Sequence, residues 1–202
     1  MQIHETSLTG GFTNPVLDSQ NVFRTVMNCM AQPGTIGEVA MGVEPPAPLG
    51  AAAGAVMLTL CDHDTAVWLG PHLLTPGITG WLGFHCGAPL TKEKTEAKFA
   101  FAHHKAPLPS LMSFAQGTLE YPDRSTTLVI EVEALDGGPT LELKGPGIRT
   151  TALLSPKGLP EHVLKQWAKN GQIFPQGVDV ILTAGHRLAA LPRTCKISLK
   201  EA

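Results

Sequence analysis

The residues of this chain that could carry chemistry are few and far apart. Asp62-His63-Asp64, with His85 further on, offers carboxylates and imidazoles of the kind that hold a divalent metal or a diphosphate. The same Asp-x-Asp sits in a polar break, Cys61 to Thr65, between two apolar runs. There two Asp side chains commonly accept hydrogen bonds from their own backbone, and a turn is the commoner use of the pattern. Lys144-Gly145-Pro146-Gly147-Ile148 could present an ammonium and backbone N–H groups to a phosphate. Pro146 removes one donor, however, and a glycine-shaped strand end explains the same residues. Asp179, between Val178 and Val180 at the start of an apolar run, is either solvated or held by a cation such as Arg193 or Arg24; if buried, it needs that partner. Arg24 borders an apolar helix stripe, from which its guanidinium can reach a carboxylate, a phosphate or water. His103-His104 ends a strand, so the two rings are expected on opposite faces and are read as surface residues.

No complete catalytic set follows from these positions. The chain has no G-x-x-x-x-G-K-[ST], no helix-opening G-x-G-x-x-G, no G-x-S-x-G and no H-E-x-x-H. The four cysteines, Cys29, Cys61, Cys86 and Cys195, include no C-x-x-C. Cys61 and Cys86 with a histidine match no compact zinc module, so free, buried thiols are expected and no metal site is assigned.

The elements that must position these residues alternate along the chain. A flexible arm is expected over 1–15, followed by one α/β domain over 16–202. A first helix, capped by Asp18 or Ser19, places Val22, Phe23, Val26, Met27 and Met30 on one face and stops at Pro33-Gly34. A short strand over Thr35–Val43 and a proline-rich connection over Glu44–Pro48 lead to an apolar helix, Ala51–Leu60. Then come a strand over Ala66–Leu69, a helix over Thr75–Cys86, a strand over Ala97–Ala102 and a Pro-led helix over Pro107–Phe114. Thr126–Ala134 and Leu141–Lys144, separated by Asp136-Gly137-Gly138, read as a central hairpin. Pro160–Lys169 is an amphipathic helix ended by Gly171. Val178–Thr183 is a buried strand that turns at Ala184–Arg187 and pairs back through Leu188–Leu191. Interleaved in this way, the elements predict an α/β fold, helices covering both faces of a mixed sheet.

At 202 residues the chain suits one domain with a sizeable core. Fifteen basic against seventeen acidic residues, with no basic cluster, argue against nucleic acid as a partner. The longest apolar run, Leu49–Leu60, is too short to cross a bilayer, and the N-terminus lacks the pattern of a secretory signal, so a cytoplasmic location is expected. Charged residues are only 16% of the chain, below the roughly 25% usual for soluble domains. That deficit suits a surface partly covered by other subunits, and equally a chain rich in Gly and Pro loops.

One resemblance spans nearly the whole chain after its first dozen residues. Phe23-Arg24 with Met30 and Pro33-Gly34, Leu58-Thr59-Leu60 with Asp62 and Asp64-Thr65, Val67-Trp68-Leu69, and Phe84-His85 with Ala88-Pro89-Leu90 follow in order. Gly145, Gly147 and Ile148, then Phe174-Pro175, Gly177, Asp179 and Ile181-Leu182-Thr183, and finally Pro192-Arg193-Thr194 complete the pattern. In this order and spacing they resemble the PhnH family, the H subunit of the bacterial carbon–phosphorus lyase core complex; Cys195 departs from it where a second threonine is expected. The resemblance implies a three-layer α/β/α fold similar to pyridoxal-phosphate-dependent transferases, without the cofactor. It implies a homodimer that joins the G, I and J subunits in a core complex. It also implies action with the G, I and L subunits in forming ribose 1-methylphosphonate 5-triphosphate from ATP and methylphosphonate, upstream of C–P cleavage by the iron–sulfur J subunit. Two stand-alone alternatives make different demands. A pyridoxal-phosphate enzyme needs a Schiff-base lysine, for which Lys144 is the only lysine expected in the central sheet; a metal-dependent hydrolase would use Asp62, Asp64 and His85.

Overall fold

Thr127-Leu-Val-Ile-Glu131 carries apolar side chains on both sides of the backbone, and both sides find cover: Leu128, Val129 and Ile130 are all buried. A strand buried on two faces belongs in the interior of a parallel array. In the computed structural model, which describes residues 9–39 and 42–200, this segment is such a strand. Taking the strands in chain order, β1 is Ile36–Glu38, β2 Val67–Leu69, β3 Phe99–His103, β4 Thr127–Glu131, β5 Leu141–Lys144, β6 Ala152–Leu154, β7 Asp179–Ala184, β8 Arg187–Leu191 and β9 Lys196–Leu199. Six of them form one mixed sheet in the order β1-β8-β7-β4-β3-β2. β2, β3, β4 and β7 are parallel neighbours, while β8 runs antiparallel between β7 and β1.

The central hairpin expected from Ser125 to Ile148 does not form. β5 pairs antiparallel with β6 and β9 in a separate three-stranded sheet. Leu141 and Leu143 are buried, whereas Glu142 is half-buried and Lys144 exposed. That alternation suits a sheet with one wet face; β4 needs cover on both, so the two runs belong to different ladders. Asp136-Gly137 still turns the chain, with Gly137 at φ +76°, but it delivers Ala134 to a bridge with Lys157 instead of to β5.

Three helices cover one face of the large sheet: α1 (Pro15–Ala31), α2 (Ala51–Leu60) and α3 (Pro76–His85). Val22, Val26, Val56, Ile78 and Trp81 pack there with Phe101, Val129 and Ile181 of the strands. The opposite face, lined by Leu128, Ile130, Val180 and Leu182, is covered by α4 (Glu161–Gln172), through Val163 and Trp167, and by Leu141, Leu143 and Leu154 of the small sheet. The mixed sheet and its helical cover agree with the α/β expectation, although half of the second cover is a sheet.

Local departures have simple causes. Asn14, not Asp18 or Ser19, caps α1: its side chain accepts from Leu17 N at 3.2 Å, and Asp18 returns the favour by accepting from Asn14 N at 2.8 Å. The buried stripe of α1 is Val22, Val26 and Cys29, leaving Phe23 and Met27 about half exposed. The helix expected over Pro107–Phe114 is only a 3-10 turn, Leu111–Ser113, because Pro107 and Pro109 withhold N–H groups and crowd the residues before them. α4 runs through Gly171 to Gln172. The strand expected over Thr35–Val43 is confined to β1, and residues 40 and 41 lie outside the described residues. Of the expected arm, Thr9 to Phe12 lie against α3, with Trp81 Nε1 donating to Thr9 O at 3.0 Å; residues 1–8 lie outside the described residues. Among the described residues no helix is long and apolar enough to cross a membrane.

Candidate functional site

The structure joins one pair of the candidate residues and disperses the rest. Asp179 opens β7 and Arg193 follows β8, so the hairpin between them sets the two side chains against each other, each about 14% exposed. Arg193 Nε donates to both Asp179 oxygens at 3.2 Å and Nη2 donates to Oδ2. Nη2 also reaches Ser125 Oγ at 2.6 Å, and Nη1 donates to the carbonyls of Pro122 and Pro175 at 3.0 and 3.2 Å. A guanidinium has five N–H donors, and these acceptors use all of them. The pair therefore ties the 122–125 and 174–176 loops to the sheet and keeps no donor for an anionic ligand.

The other candidates stand alone. Arg24 is exposed on α1 and forms no ion pair among the described residues. Asp62 Oδ1 accepts from Asp64 N at 3.0 Å and Thr65 Oγ1 at 2.7 Å, which is the turn chemistry the sequence favoured. The Thr65 hydroxyl, then the Asp64 N–H, hold the Asp62 carboxyl below the usual carboxylate range. His85 lies elsewhere, in a recess of about 400 Å³ shared with Thr9, Gly11, Phe12 and Leu58, its ring 5.0 Å from that of Trp81. Burial lowers its pKa. Among the described residues no trio of His, Cys, Asp or Glu is placed to hold a metal. Lys144 is not in the central sheet but exposed on β5, paired with Glu142, and so offers no enclosed amine for a Schiff base. The cysteines are free thiols; burial pushes Cys61 up strongly and Cys195 to about 11.

A polar cluster that the sequence did not reveal lies at the carboxyl ends of the parallel strands, where open α/β sheets commonly place their ligands. His103 of β3, Glu131 of β4 and Thr183 of β7 occupy one register row and point to the face covered by α2. Glu131 Oε2 accepts from Gly50 N, the N-cap of α2, at 2.9 Å, setting a carboxylate at a helix N-terminus. Burial nonetheless raises the Glu131 pKa. His103 is buried, not on the surface as expected; its ring stacks on that of His104 at 4.3 Å and lies tilted against that of His72 at 4.6 Å. Its Nδ1 accepts from Lys105 N at 3.1 Å, so the proton of the neutral ring sits on Nε2. Burial first, then the neighbouring His104, His72 and Lys105 charges, lower its pKa to about 4. Thr183 Oγ1 is buried with no hydrogen-bond partner among the described residues. The row thus places a neutral imidazole, a carboxylate reluctant to ionise and an unpartnered hydroxyl on adjacent strands, with no hydrogen bond joining the three among the described residues.

The fold is an α/β domain on a mixed six-stranded sheet, and the Asp179–Arg193 pair serves the domain's own structure. Residues 10–198 match the family described as bacterial phosphonate metabolism protein (PhnH), and the chain belongs to that family. It is 52% identical over 189 residues, 94% of both chains, to the alpha-D-ribose 1-methylphosphonate 5-triphosphate synthase subunit PhnH of Rhizobium meliloti (strain 1021). It is 33% identical over 183 residues to the putative C-P lyase subunit protein HtxG of Stutzerimonas stutzeri, covering 91% of this chain and 87% of the relative.

Proposed function

We propose that this chain is a non-autonomous subunit of the carbon–phosphorus lyase system in organophosphonate breakdown. It acts with G, I and L subunits in forming ribose 1-methylphosphonate 5-triphosphate from ATP and methylphosphonate, and it assembles, as a homodimer, with G, I and J subunits in the cytoplasm. The observation that carries the reading is the 52% identity, over 94% of both chains, to a synthase subunit. The physical state of the candidate residues supports it: Arg193 has spent its donors, Asp62 closes a turn, Lys144 is paired in the open, and His85 stands apart from both Asp residues. A three-layer arrangement similar to pyridoxal-phosphate transferases, without their cofactor, belongs to the same proposal. Affinity purification of the tagged chain from its native host, grown on methylphosphonate as sole phosphorus source, tests it. The chain should bring down G, I and J subunits in fixed ratio; recovery of the chain free of them would refute the assignment.

A further inference from the structure

A groove between α4 and β9 lies beside the Asp179–Arg193 pair, whose arginine forms part of its wall. It has a volume of about 600 Å³, and its walls include Trp167, Ala168, Gly171, Phe174, Arg193 and Ile197. These walls are mainly apolar, with Gln172 and Thr194 as neutral polar groups among them. The Arg193 guanidinium is fully engaged, and Trp167 Nε1 is committed to Cys195 O at 2.7 Å. A small-molecule pocket of this size needs a few convergent polar groups to orient its ligand. Here the one charged wall residue with no ion pair among the described residues is Lys196, which lies across from Lys144 in the β5–β9 ladder.

Charge around the groove is one-sided although the chain as a whole carries two more acidic than basic residues. Glu161 is paired with Lys165, Glu142 with Lys144 and Asp179 with Arg193. That leaves Lys196 in the wall, and Lys169, one turn from Gln172 on α4, as cations with no acidic partner among the described residues. Phe174, 60% exposed at the mouth, adds a large apolar surface that the fold does not cover. An apolar floor with unbalanced positive flanks is complementary to an apolar anchor flanked by carboxylates.

Building on the subunit reading above, we infer that the α4–β9 groove is the seat for a segment of another subunit of the same complex: an aromatic or aliphatic anchor that fills the groove, with Asp or Glu beside it to meet Lys169 and Lys196. The anchor supplies burial and the lysines supply orientation and rate of encounter, an effect that salt screens.

The test co-expresses the chain with the G, I and J subunits and follows assembly by native mass spectrometry and size-exclusion chromatography. Ala168→Trp fills the groove from an exposed helix position, so the variant should keep the wild-type unfolding midpoint and lose assembly at least tenfold in apparent affinity. Lys169→Glu with Lys196→Glu should weaken assembly several-fold in low salt and little in high salt. A photo-crosslinking residue at position 168 should capture a peptide of another subunit with an apolar residue within a few positions of Asp or Glu. Wild-type assembly by Ala168→Trp, or capture of a second copy of this chain, overturns the groove assignment while leaving the subunit reading intact. A co-purifying small molecule that Ala168→Trp expels without loss of assembly overturns it as well. If the wild-type chain itself fails to assemble, the subunit reading falls, and the groove assignment with it.

Discussion

Asp179→Asn should be one of the most damaging near-isosteric substitutions in this protein. The carboxylate accepts three donors of Arg193, counting its backbone N–H at 2.7 Å, at a place where both side chains are largely out of water. Asparagine preserves shape and one acceptor but strands the guanidinium charge, and breaking a buried pair from one side costs about 3–5 kcal/mol. Arg193→Met should cost a similar amount, because Ser125 Oγ and the Pro122 and Pro175 carbonyls lose their donor along with Asp179. For a chain of this length each kcal/mol moves the melting temperature by about 2–4 °C, so a fall of roughly 6–20 °C is expected. Urea unfolding of the two single variants and the double variant measures the coupling, which should be at least about 2 kcal/mol. An Asp179→Asn protein within about 1 kcal/mol of wild type, with unchanged urea dependence, would refute the structural role and return the pair to the list of ligand-binding candidates.

Three further outcomes follow from the carboxyl-edge cluster and the β5 turn. His103 stays neutral in the fold down to about pH 4, whereas an unfolded histidine titrates near 6.5, so the unfolded chain takes up the proton first. Stability should therefore fall as pH drops through that window, by on the order of 3 kcal/mol, and His103→Phe should flatten the slope seen in pH-dependent urea unfolding. Glu131 has the opposite sign: its raised pKa means that ionising it costs the fold stability as pH rises above the ordinary glutamate range. Glu131→Gln keeps an acceptor for Gly50 N and should be at least as stable as wild type at pH 7, whereas Glu131→Ala, which loses the cap, should lose about 1 kcal/mol. Gly147→Ala should cost well above the roughly 1–2 kcal/mol expected of Gly137→Ala. Both glycines have positive φ, but a Cβ at 147 collides with the Ala31 carbonyl and one at 137 meets open space.

Much of the fold was legible because its helices and buried strands carry strong periods. The small apolar run Ala51–Leu60, the stripe of α4 and the β7–β8 hairpin through Gly185-His186 all appear where the pattern places them. The small sheet was not legible. Its three strands are three or four residues long and lie between Leu141 and Leu199, so nothing local announces that β5 prefers β9 to the nearer β4. Nearness in sequence to β4 does not decide the pairing of β5. The Asp62 turn was readable because Asx chemistry is local, and the Asp179–Arg193 pair was readable as one of two options because a carboxylate at a buried strand start needs a cation. The His103–Glu131–Thr183 row is tertiary, arising only when three parallel strands align. Its one trace is that Phe-Ala-Phe-Ala-His, Leu-Val-Ile-Glu and Val-Ile-Leu-Thr each end an apolar run on a polar residue.

The most direct check of whether this polypeptide works only in company is adenine release from ATP and methylphosphonate, followed by chromatography with the purified chain alone and then with G, I and L subunits added. The account predicts no release above the protein-free control from the chain alone and sustained release from the mixture, lost again when this chain is left out. Sustained turnover by the chain alone, or a mixture that runs equally well without it, would contradict the account.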